Sequence, residues 1–297
     1  MTMRKFKEFW MGFPPRNHLS IPNHIGLSLL SGIALAAGSI FYSTKIEPGW
    51  LEISTISAKL PRLHPVFNNY RIVQISDIHM GTWITKHRLA KIVKSINRLS
   101  PDLIVITGDF VTDLNHTIVA DLSSCLYKLR SKDGVFAILG NHDYWSNPKT
   151  IRQILEISGI IDLSNEVYSV KRGNEYLHIV GVDDYWENKA CLRDVVCKFR
   201  ENEAAILLAH EPDFAEISSK TNRFDLQLSG HTHGGQVILP KLGPIVLPKY
   251  GRKYPAGLHQ IETMLLYTNR GLGTGHPKIR FRCRPEIALL TLQAPMI

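Results

Sequence analysis

The sequence has few cysteines, and their spacing excludes two kinds of stabilised fold. The 297-residue chain contains four of them, with no C-x-x-C pair: Cys125, Cys191, Cys197 and Cys283. This spacing is neither a disulfide framework nor a zinc site built from thiolates. Internal repeats and low-complexity tracts are also absent, which excludes a repeat architecture. The length and the 44% apolar content instead predict one large α/β domain.

Acidic residues are the minority among the charged side chains. The chain has 26 Asp and Glu against 35 Lys and Arg, which favours a polyanionic partner such as nucleic acid, anionic lipid or a phosphorylated substrate. Nine basic residues lie between positions 241 and 284, where Glu262 is the only acid: Lys241, Lys249, Arg252, Lys253, Arg270, Lys278, Arg280, Arg282 and Arg284. As a group they predict an anion-attracting rim, and the alternative is a solvated basic face.

Within this basic stretch, Lys278, Arg280 and Arg282 alternate with apolar residues. In a strand they would form one basic face, so Arg280 and Arg282 are predicted to contact an anionic substrate. The alternative is that this strand only packs against the edge of a sheet.

Residues 25–42 form an 18-residue run without a charged side chain. As a helix this run would be about 27 Å long, close to the roughly 30 Å hydrocarbon core of a bilayer. Four basic residues precede it, as is typical of a membrane anchor: Arg4, Lys5, Lys7 and Arg16. The sequence therefore predicts an anchor over 25–42. The alternatives are a signal peptide cleaved near residues 34–36 and a buried core helix.

From Tyr70 onward, short apolar runs alternate with amphipathic stretches. Six runs are predicted to be buried strands: Arg71–Ser76, Leu103–Thr107, Val135–Leu139, Leu177–Val182, Ala205–Ala209 and Asp225–Ser229. The spacing of apolar residues over 89–99 predicts a helix, and Asn147 caps a second helix that ends at Gly159. This alternation predicts an α/β layered fold around a mixed sheet.

The chain is thereby divided into three parts. Residues 1–44 are the basic N-terminus and the anchor, residues 45–69 are a connector without a sustained period, and residues 70–297 are a globular domain. Turns crowd after His233, so the end of that domain is predicted to be strand and loop at a sheet edge.

Five of the six predicted strands are followed directly by polar residues of similar chemistry. These residues are Asp77, His79, Asp109, Asn141, His142, Asp143, His210, His231 and His233. Ligand sites in open α/β sheets form beyond the carboxyl ends of the strands, so we expect these side chains to converge on one crevice. Any one of them alone is more often a cap or a turn residue. The whole series in this order predicts a metal site.

The residue types indicate which ions are bound. Carboxylates, imidazoles and an amide oxygen without thiolate suit a borderline-to-hard divalent ion: Mn²⁺, which is favoured, or Fe²⁺, Zn²⁺ or Mg²⁺. The ligands are too many for one tetrahedral ion, whereas two ions about 3.5–4 Å apart that share one carboxylate would use them all. Such a pair stabilises the attacking and leaving oxygens in phosphoryl hydrolysis. The sequence therefore predicts a two-metal phosphoester hydrolase.

A family resemblance rests on the motifs Asp77-x-His79, Gly108-Asp109, Gly140-Asn141-His142-Asp143, His210 and Gly230-His231-Thr232-His233. From residue 70 to residue 233 the chain resembles the calcineurin-like metallophosphoesterases. The resemblance implies an α/β fold of four layers, α/β/β/α, and makes residues 70–297 the catalytic domain.

The same resemblance assigns roles by motif position. It implies that one metal is held by Asp77, His79 and His233. It implies that the second metal is held by Asn141, His210 and His231, with Asp109 bridging the two. His142 would contact the phosphate and assist the leaving group. Protein phosphatases of this superfamily place an acidic partner for that histidine where this chain has Thr112, so the partner of His142 stays open.

A narrower resemblance extends over almost the whole chain. Residues 47–52, 234–236 and 282–286 resemble the bacterial membrane-associated phosphodiesterases, a branch that includes the chlamydial UDP-2,3-diacylglucosamine pyrophosphatase. This implies hydrolysis of UDP-2,3-diacylglucosamine to UMP and lipid X (2,3-diacylglucosamine 1-phosphate) in lipid A biosynthesis. The alternative is a broad-specificity phosphodiesterase acting on small or cyclic esters.

Partners and localisation follow from this branch. We expect a monomer at the bacterial inner membrane that acts on a phosphorylated lipid and binds no specific nucleic acid, because basic and aromatic residues are not interleaved. The basic flank before residue 25 predicts a catalytic domain outside the cytoplasm. A nucleotide-activated lipid substrate instead favours a catalytic domain on the cytoplasmic face. The two predictions are compatible if residues 25–42 lie in one leaflet without crossing the bilayer.

Overall fold

The computed structural model describes residues 23–295. The described chain divides into two units after Phe41, with helix α1 (Asn23–Phe41) in the first and the remainder in the second. The predicted basic N-terminal flank lies outside the described residues.

The segment predicted as an anchor is helical from Asn23 to Phe41. Leu35 and Ile40 on this helix are 73% and 64% exposed. Across residues 23–295, no helix is both long enough and apolar enough to cross a membrane. The predicted membrane-spanning anchor over 25–42 is therefore not supported.

The remaining α-helices all belong to the second unit. They are α2 (Lys86–Arg98), α3 (His116–Leu126), α4 (Asn141–Ser146), α5 (Pro148–Ile157), α6 (Leu192–Val196) and α7 (Ala215–Ser218). Asn147 caps α5 by accepting a hydrogen bond from the Thr150 backbone N–H at 3.1 Å, and Gly159 follows in a left-handed conformation. The predicted start and end of this helix are confirmed.

The strands form two six-stranded mixed sheets and one short hairpin. They are β1 (Glu52–Lys59), β2 (Arg71–Ile75), β3 (Leu103–Thr107), β4 (Val135–Ile138), β5 (Ile161–Asp162), β6 (Val167–Arg172), β7 (Glu175–Gly181), β8 (Ala204–Leu208), β9 (Leu226–Ser229), β10 (Ile238–Leu239), β11 (Gly243–Pro244), β12 (Gly257–Ile261), β13 (Met264–Thr268) and β14 (Glu286–Gln293). The first sheet has the order β1-β14-β2-β3-β4-β5 and the second the order β12-β13-β9-β8-β7-β6.

Alternate residues of the strands face different layers. In β3, Ile104 and Ile106 pack with the apolar faces of α2, α3 and α5, whereas Leu103 and Val105 pack against residues of the second sheet. The outer face of the second sheet packs with residues of α6 and α7. The layers therefore run helix, sheet, sheet, helix, and the predicted α/β class with mixed sheets is confirmed.

All six predicted strands are present, within two residues at each end. The connector predicted over 45–69 is wrong, because Glu52–Lys59 forms β1 and pairs in parallel with β14 in the first sheet. The inward face of β1 begins with Glu52 and Ser54. Both side chains accept hydrogen bonds from the Arg270 guanidinium. A strand whose inward face is half polar lacks the apolar alternation that sequence analysis detects.

Candidate active site

The seven predicted ligands lie together at the carboxyl ends of the strands. Six of them form two buried clusters in which the possible donor atoms all lie within 4.8 Å of one another: Asp77, His79, Asp109 and His233 in the first, and Asp109, His210 and His231 in the second. Asp109 belongs to both clusters. The predicted convergence of these side chains is thus present in the fold.

The backbone at the strand ends turns sharply to bring the ligands inward. Asp77, His79, Asp109, His231 and His233 all have positive φ angles, between 45° and 71°. This left-handed conformation is uncommon for residues other than glycine and gathers at functional sites. These strained turns aim side chains from different strands at one point.

Glycines allow the turns to approach one another closely. Gly108 has φ +91°, and a Cβ there would lie 2.6 Å from His210 Nδ1. At Gly230 a Cβ would collide with the Ser76 side chain. Any other residue at these two positions would push the ligand-bearing turns apart.

The Asp109 carboxylate lies between the two clusters. Its Oδ2 is 3.4 Å from His79 Nε2 and 3.3 Å from His210 Nε2. In the first cluster, His233 Nε2 is 3.4 Å from Asp77 Oδ1 and 3.1 Å from His79 Nε2. One carboxylate oxygen is therefore placed to serve two ions.

In three of the four histidines of these clusters, the second ring nitrogen lies within hydrogen-bond distance of another group. His210 Nδ1 donates to the Thr107 carbonyl at 2.6 Å, and His231 Nε2 donates to the Lys249 carbonyl at 2.8 Å. His79 Nδ1 lies 2.9 Å from Thr112 Oγ1. Bonds of this kind fix the tautomer and leave the other nitrogen with a lone pair for a metal.

Three buried polar atoms at the site have no hydrogen-bond partner. They are Asn141 Oδ1, His210 Nε2 and His233 Nδ1. Unpaired buried polar atoms are rare, so each needs an explanation such as an ion. Together with the absence of thiolate from both clusters, they fit two divalent ions held by oxygen and imidazole nitrogen.

Burial and charge perturb the titration of these groups. Burial opposes ionisation of Asp109, but the neighbouring His210 and His79 hold the pKa of its carboxyl well below its usual range. Burial raises the pKa of Asp77, although His210 opposes this. Burial lowers the pKa values of His79 and His210, but Asp109 raises them above the usual range. Binding of a divalent ion there would therefore displace protons from these two histidines.

His142 is placed next to this centre but outside both clusters. Its backbone N–H donates to Asp109 Oδ1 at 3.0 Å, and its ring centroid lies 4.7 Å from that of His79. Burial lowers the pKa of His142 to about 4, although Asp109 opposes this. The ring borders the crevice beside Asp109 and Asn141, where a substrate phosphate would lie.

Asp143 has a positioning role that the sequence motif did not reveal. Its carboxylate is fully buried and accepts hydrogen bonds from the backbone N–H groups of Asp109 at 2.9 Å, Phe110 at 2.9 Å and Gly140 at 3.0 Å. It thereby ties the turn after β3 to the start of α4. The relative positions of Asp109 and Asn141 depend on this tie.

The structure contradicts the substrate role predicted for Arg280. Its side chain is fully buried, and its guanidinium donates to the carbonyl oxygens of Arg270 at 2.8 Å, Gly271 at 3.1 Å and Cys283 at 3.1 Å. Arg280 therefore holds the loop over 270–283 together. The predicted basic strand is also wrong, because Arg282 has φ +57° and breaks the extended backbone.

A crevice of about 570 Å³ opens over the metal ligands. Asp109, Asn141, His142, His231 and His233 line its polar end. Neither Arg280 nor Arg282 lines it. Most of the remaining wall is apolar, and its large side chains are Trp145, Trp186, Val237, Ile245, Val246 and Ile279. This apolar wall was not predicted, because its residues come from four separate segments of the chain without a motif.

The aromatic part of the wall is fixed by acidic side chains. Glu211, which follows His210, accepts from the Trp186 backbone N–H at 2.9 Å. Trp145 Nε1 donates to Glu187 Oε1 at 2.9 Å. The two indole rings meet edge to face with centroids 5.6 Å apart. The pair lies between two histidines. The ring centroid of Trp145 is 4.6 Å from that of His142, and the ring centroid of Trp186 is 5.6 Å from that of His231.

Comparison with known proteins agrees with this geometry. The family model of the calcineurin-like phosphoesterases matches residues 70–235. The chain is 34% identical over 273 residues to an uncharacterized metallophosphoesterase, YkuE, of Bacillus subtilis, an alignment that covers 90% of this chain and 94% of the relative. It therefore belongs to the calcineurin-like phosphoesterase family and is a metal-dependent hydrolase of phosphoester or pyrophosphate bonds.

Two further relatives have more specific names. The chain is 30% identical to the Escherichia coli phosphodiesterase YaeI, over 84% of this chain and 92% of the relative. It is 28% identical to the UDP-2,3-diacylglucosamine pyrophosphatase LpxG of Chlamydia trachomatis, over 90% of this chain and 96% of the relative.

The two-cluster geometry predicts how many ions each variant binds. Wild-type protein loaded with Mn²⁺ and freed of excess metal should hold two ions per chain by elemental analysis. Asp109→Asn should lose both ions and nearly all activity, because the shared oxygen loses its negative charge, whereas His210→Ala should lose one. Asp183→Asn, at a buried aspartate outside both clusters, is the control and should retain two. Full turnover after exhaustive chelation would contradict the two-ion site.

The bonds of Asp143 predict a second effect at a distance from the ions. Asp143→Asn should lower metal affinity or activity by about 10–100-fold, the usual effect of losing a group that orients a ligand. Asp225→Asn is the matched control, since Asp225 is buried and also accepts a backbone N–H, from Ala205 at 3.0 Å. Equal effects of the two changes on metal affinity would show that Asp143 acts only through stability.

Proposed function

We propose that this protein hydrolyses the pyrophosphate bond of UDP-2,3-diacylglucosamine to UMP and 2,3-diacylglucosamine 1-phosphate, a reaction of lipid A biosynthesis, with Mn²⁺ as its metal. The observation that carries the proposal is the crevice, which joins a polar metal end, an indole pair and an aliphatic wall. A substrate made of a nucleobase, a pyrophosphate and acyl chains offers one group to each.

The chemistry at the polar end of the crevice fits hydrolysis of a pyrophosphate bond. Two divalent ions held by the two clusters would supply Lewis-acid stabilisation of the phosphoryl oxygens. Water attacks phosphorus, the bond from phosphorus to the leaving oxygen breaks, and His142 donates a hydrogen bond to that oxygen. A bound phosphate also places negative charge against the imidazole, which favours the protonated form of His142.

The chlamydial relative supports this substrate, because the alignment includes nearly all of both chains. The alternative function is a phosphodiesterase of broad specificity for small or cyclic esters. The name of the Escherichia coli relative favours that alternative. A small, charged ester has no apolar group that would contact the largely apolar wall of the crevice. For this reason we prefer the lipid substrate.

The proposed substrate places the enzyme at the cytoplasmic face of a bacterial inner membrane, and we propose that it acts there as a monomer. Exposed apolar side chains on α1, such as Leu35 and Ile40, support contact with a membrane surface. Such contact does not require the helix to cross the bilayer.

The position of His142 predicts a loss of turnover without a loss of metal. His142→Ala should lower kcat by about 10²–10⁴-fold, the usual range for a lost acid–base group. Metal content should equal that of the wild type, because His142 belongs to neither cluster. If elemental analysis instead shows one ion missing, His142 is a ligand.

The indole pair predicts a separable effect on substrate binding. Trp186→Ala should raise KM for UDP-2,3-diacylglucosamine about tenfold, since stacking on an aromatic side chain contributes about 1–3 kcal/mol per base. The kinetics with glycerophosphocholine, a phosphodiester without a base, should stay unchanged.

Trp50→Ala is the matched control for this experiment, since Trp50 is 48% exposed and stacks on Arg284 away from the crevice. It should leave KM for both substrates unchanged. Failure of wild-type protein with Mn²⁺ and detergent to cleave the UDP-lipid, together with cleavage of small diesters, would establish the alternative function.

A further inference from the structure

The hairpin over residues 237–248, here called the crevice hairpin, carries an exposed aliphatic tip. It follows the ligand His233 directly and contains β10 and β11. Leu242 is 80% exposed, Val246 73% and Ile245 58%. Within residues 42–295, Leu242 and Val246 are the two most exposed of the large apolar side chains, ahead of Ile157 at 66%. Exposed apolar side chains that cluster in this way mark a binding surface.

The fold holds this tip outward. The Ile238 N–H donates to the Phe281 carbonyl at 2.9 Å, the Ile245 N–H to the Val237 carbonyl at 3.1 Å, and the Leu242 N–H to the Leu239 carbonyl at 3.2 Å. The hairpin is thus bonded across itself and to the loop that Arg280 supports. These backbone hydrogen bonds fix the position of its aliphatic side chains at the mouth of the active site.

Basic residues flank the tip without acidic neighbours in sequence. Residues 237–261 contain no Asp or Glu but contain Lys241, Lys249, Arg252 and Lys253. Lys241, Lys249 and Arg252 are exposed, whereas Lys253 pairs with Glu216 at 2.9 Å. An aliphatic tip within a basic rim is complementary to an anionic bilayer, whose acyl region takes the tip and whose headgroups take the rim.

We propose that the crevice hairpin docks on the surface of an anionic bilayer, with Leu242 and Val246 in the acyl region and Lys241 among the headgroups. Ile245 and Val246 also line the crevice, so the same segment borders both the bilayer and the metal site. A lipid could then pass from the membrane to the polar end along one apolar wall. That last step rests on the proposed function, whereas docking does not.

A fluorescent probe at the tip tests docking in the full-length chain without relying on catalysis. Leu242→Cys is labelled with nitrobenzoxadiazole in a background where the exposed Cys191 and Cys197 are replaced by Ser. Phosphatidylcholine vesicles containing phosphatidylglycerol should shift its emission to shorter wavelength and higher intensity. Because the probe reports only its own surroundings, contact of α1 with the vesicles does not imitate this result.

The matched control is Ile157→Cys in the same background, since Ile157 is an exposed aliphatic residue on α5. Its probe should not respond to the vesicles. Vesicles of phosphatidylcholine alone should give a weaker response at position 242, and Lys241→Glu should remove the difference between the two vesicle types.

Several outcomes would overturn docking. One is an unchanged spectrum at position 242 with anionic vesicles. A second is an equal response at position 157, which would show non-specific adsorption. Equal responses to neutral and anionic vesicles would exclude a role for the basic rim. A shift that grows with protein concentration without vesicles would show that a second copy covers the tip.

Discussion

The Asp109 carboxylate is the group on which the rest of the site depends. Its Oδ2 lies between His79 and His210, and its Oδ1 accepts the His142 N–H at 3.0 Å. Its backbone is held in turn by Asp143. Two buried carboxylates so close together are costly unless every oxygen is satisfied. Here the bonds that satisfy them also fix both metal positions and the histidine beside them.

This arrangement requires both sheets, and polar bonds join them beneath the site. The buried Gln74 amide of β2 donates to the Ser229 carbonyl of β9 at 2.9 Å. His210 donates to Thr107 at the end of β3, and the His231 N–H donates to Asp77 Oδ2 at 3.0 Å. Tyr267 of β13 also donates to Glu286 of β14 at 2.8 Å, whereas most of the interface between the sheets is apolar. These bonds fix how the two halves of the metal centre face each other.

Sequence analysis located the central strands and placed the seven predicted ligands together at their ends, because these residues follow buried apolar runs. It missed β1, whose inward face is partly polar, and it missed the role of Asp143, which acts through backbone N–H groups that no motif displays. It also assigned Arg280 to the substrate. A basic residue in sequence carries no sign of whether its partners are phosphate oxygens or the carbonyl oxygens of its own chain, so only the fold could correct this.

The same distinction explains where the positive charge of the C-terminal region acts. Arg270 is paired with Glu286 at 3.0 Å, Arg280 is surrounded by carbonyl oxygens, and Lys253 is paired with Glu216. These side chains are engaged in holding loops together. Lys241, Lys249 and Arg252 stay exposed, and all three lie on or directly after the crevice hairpin. Lys241, Lys249 and Arg252 thus place attraction for anions beside the aliphatic tip, and the exposed Lys278 and Arg282 extend it along the loop over 270–283.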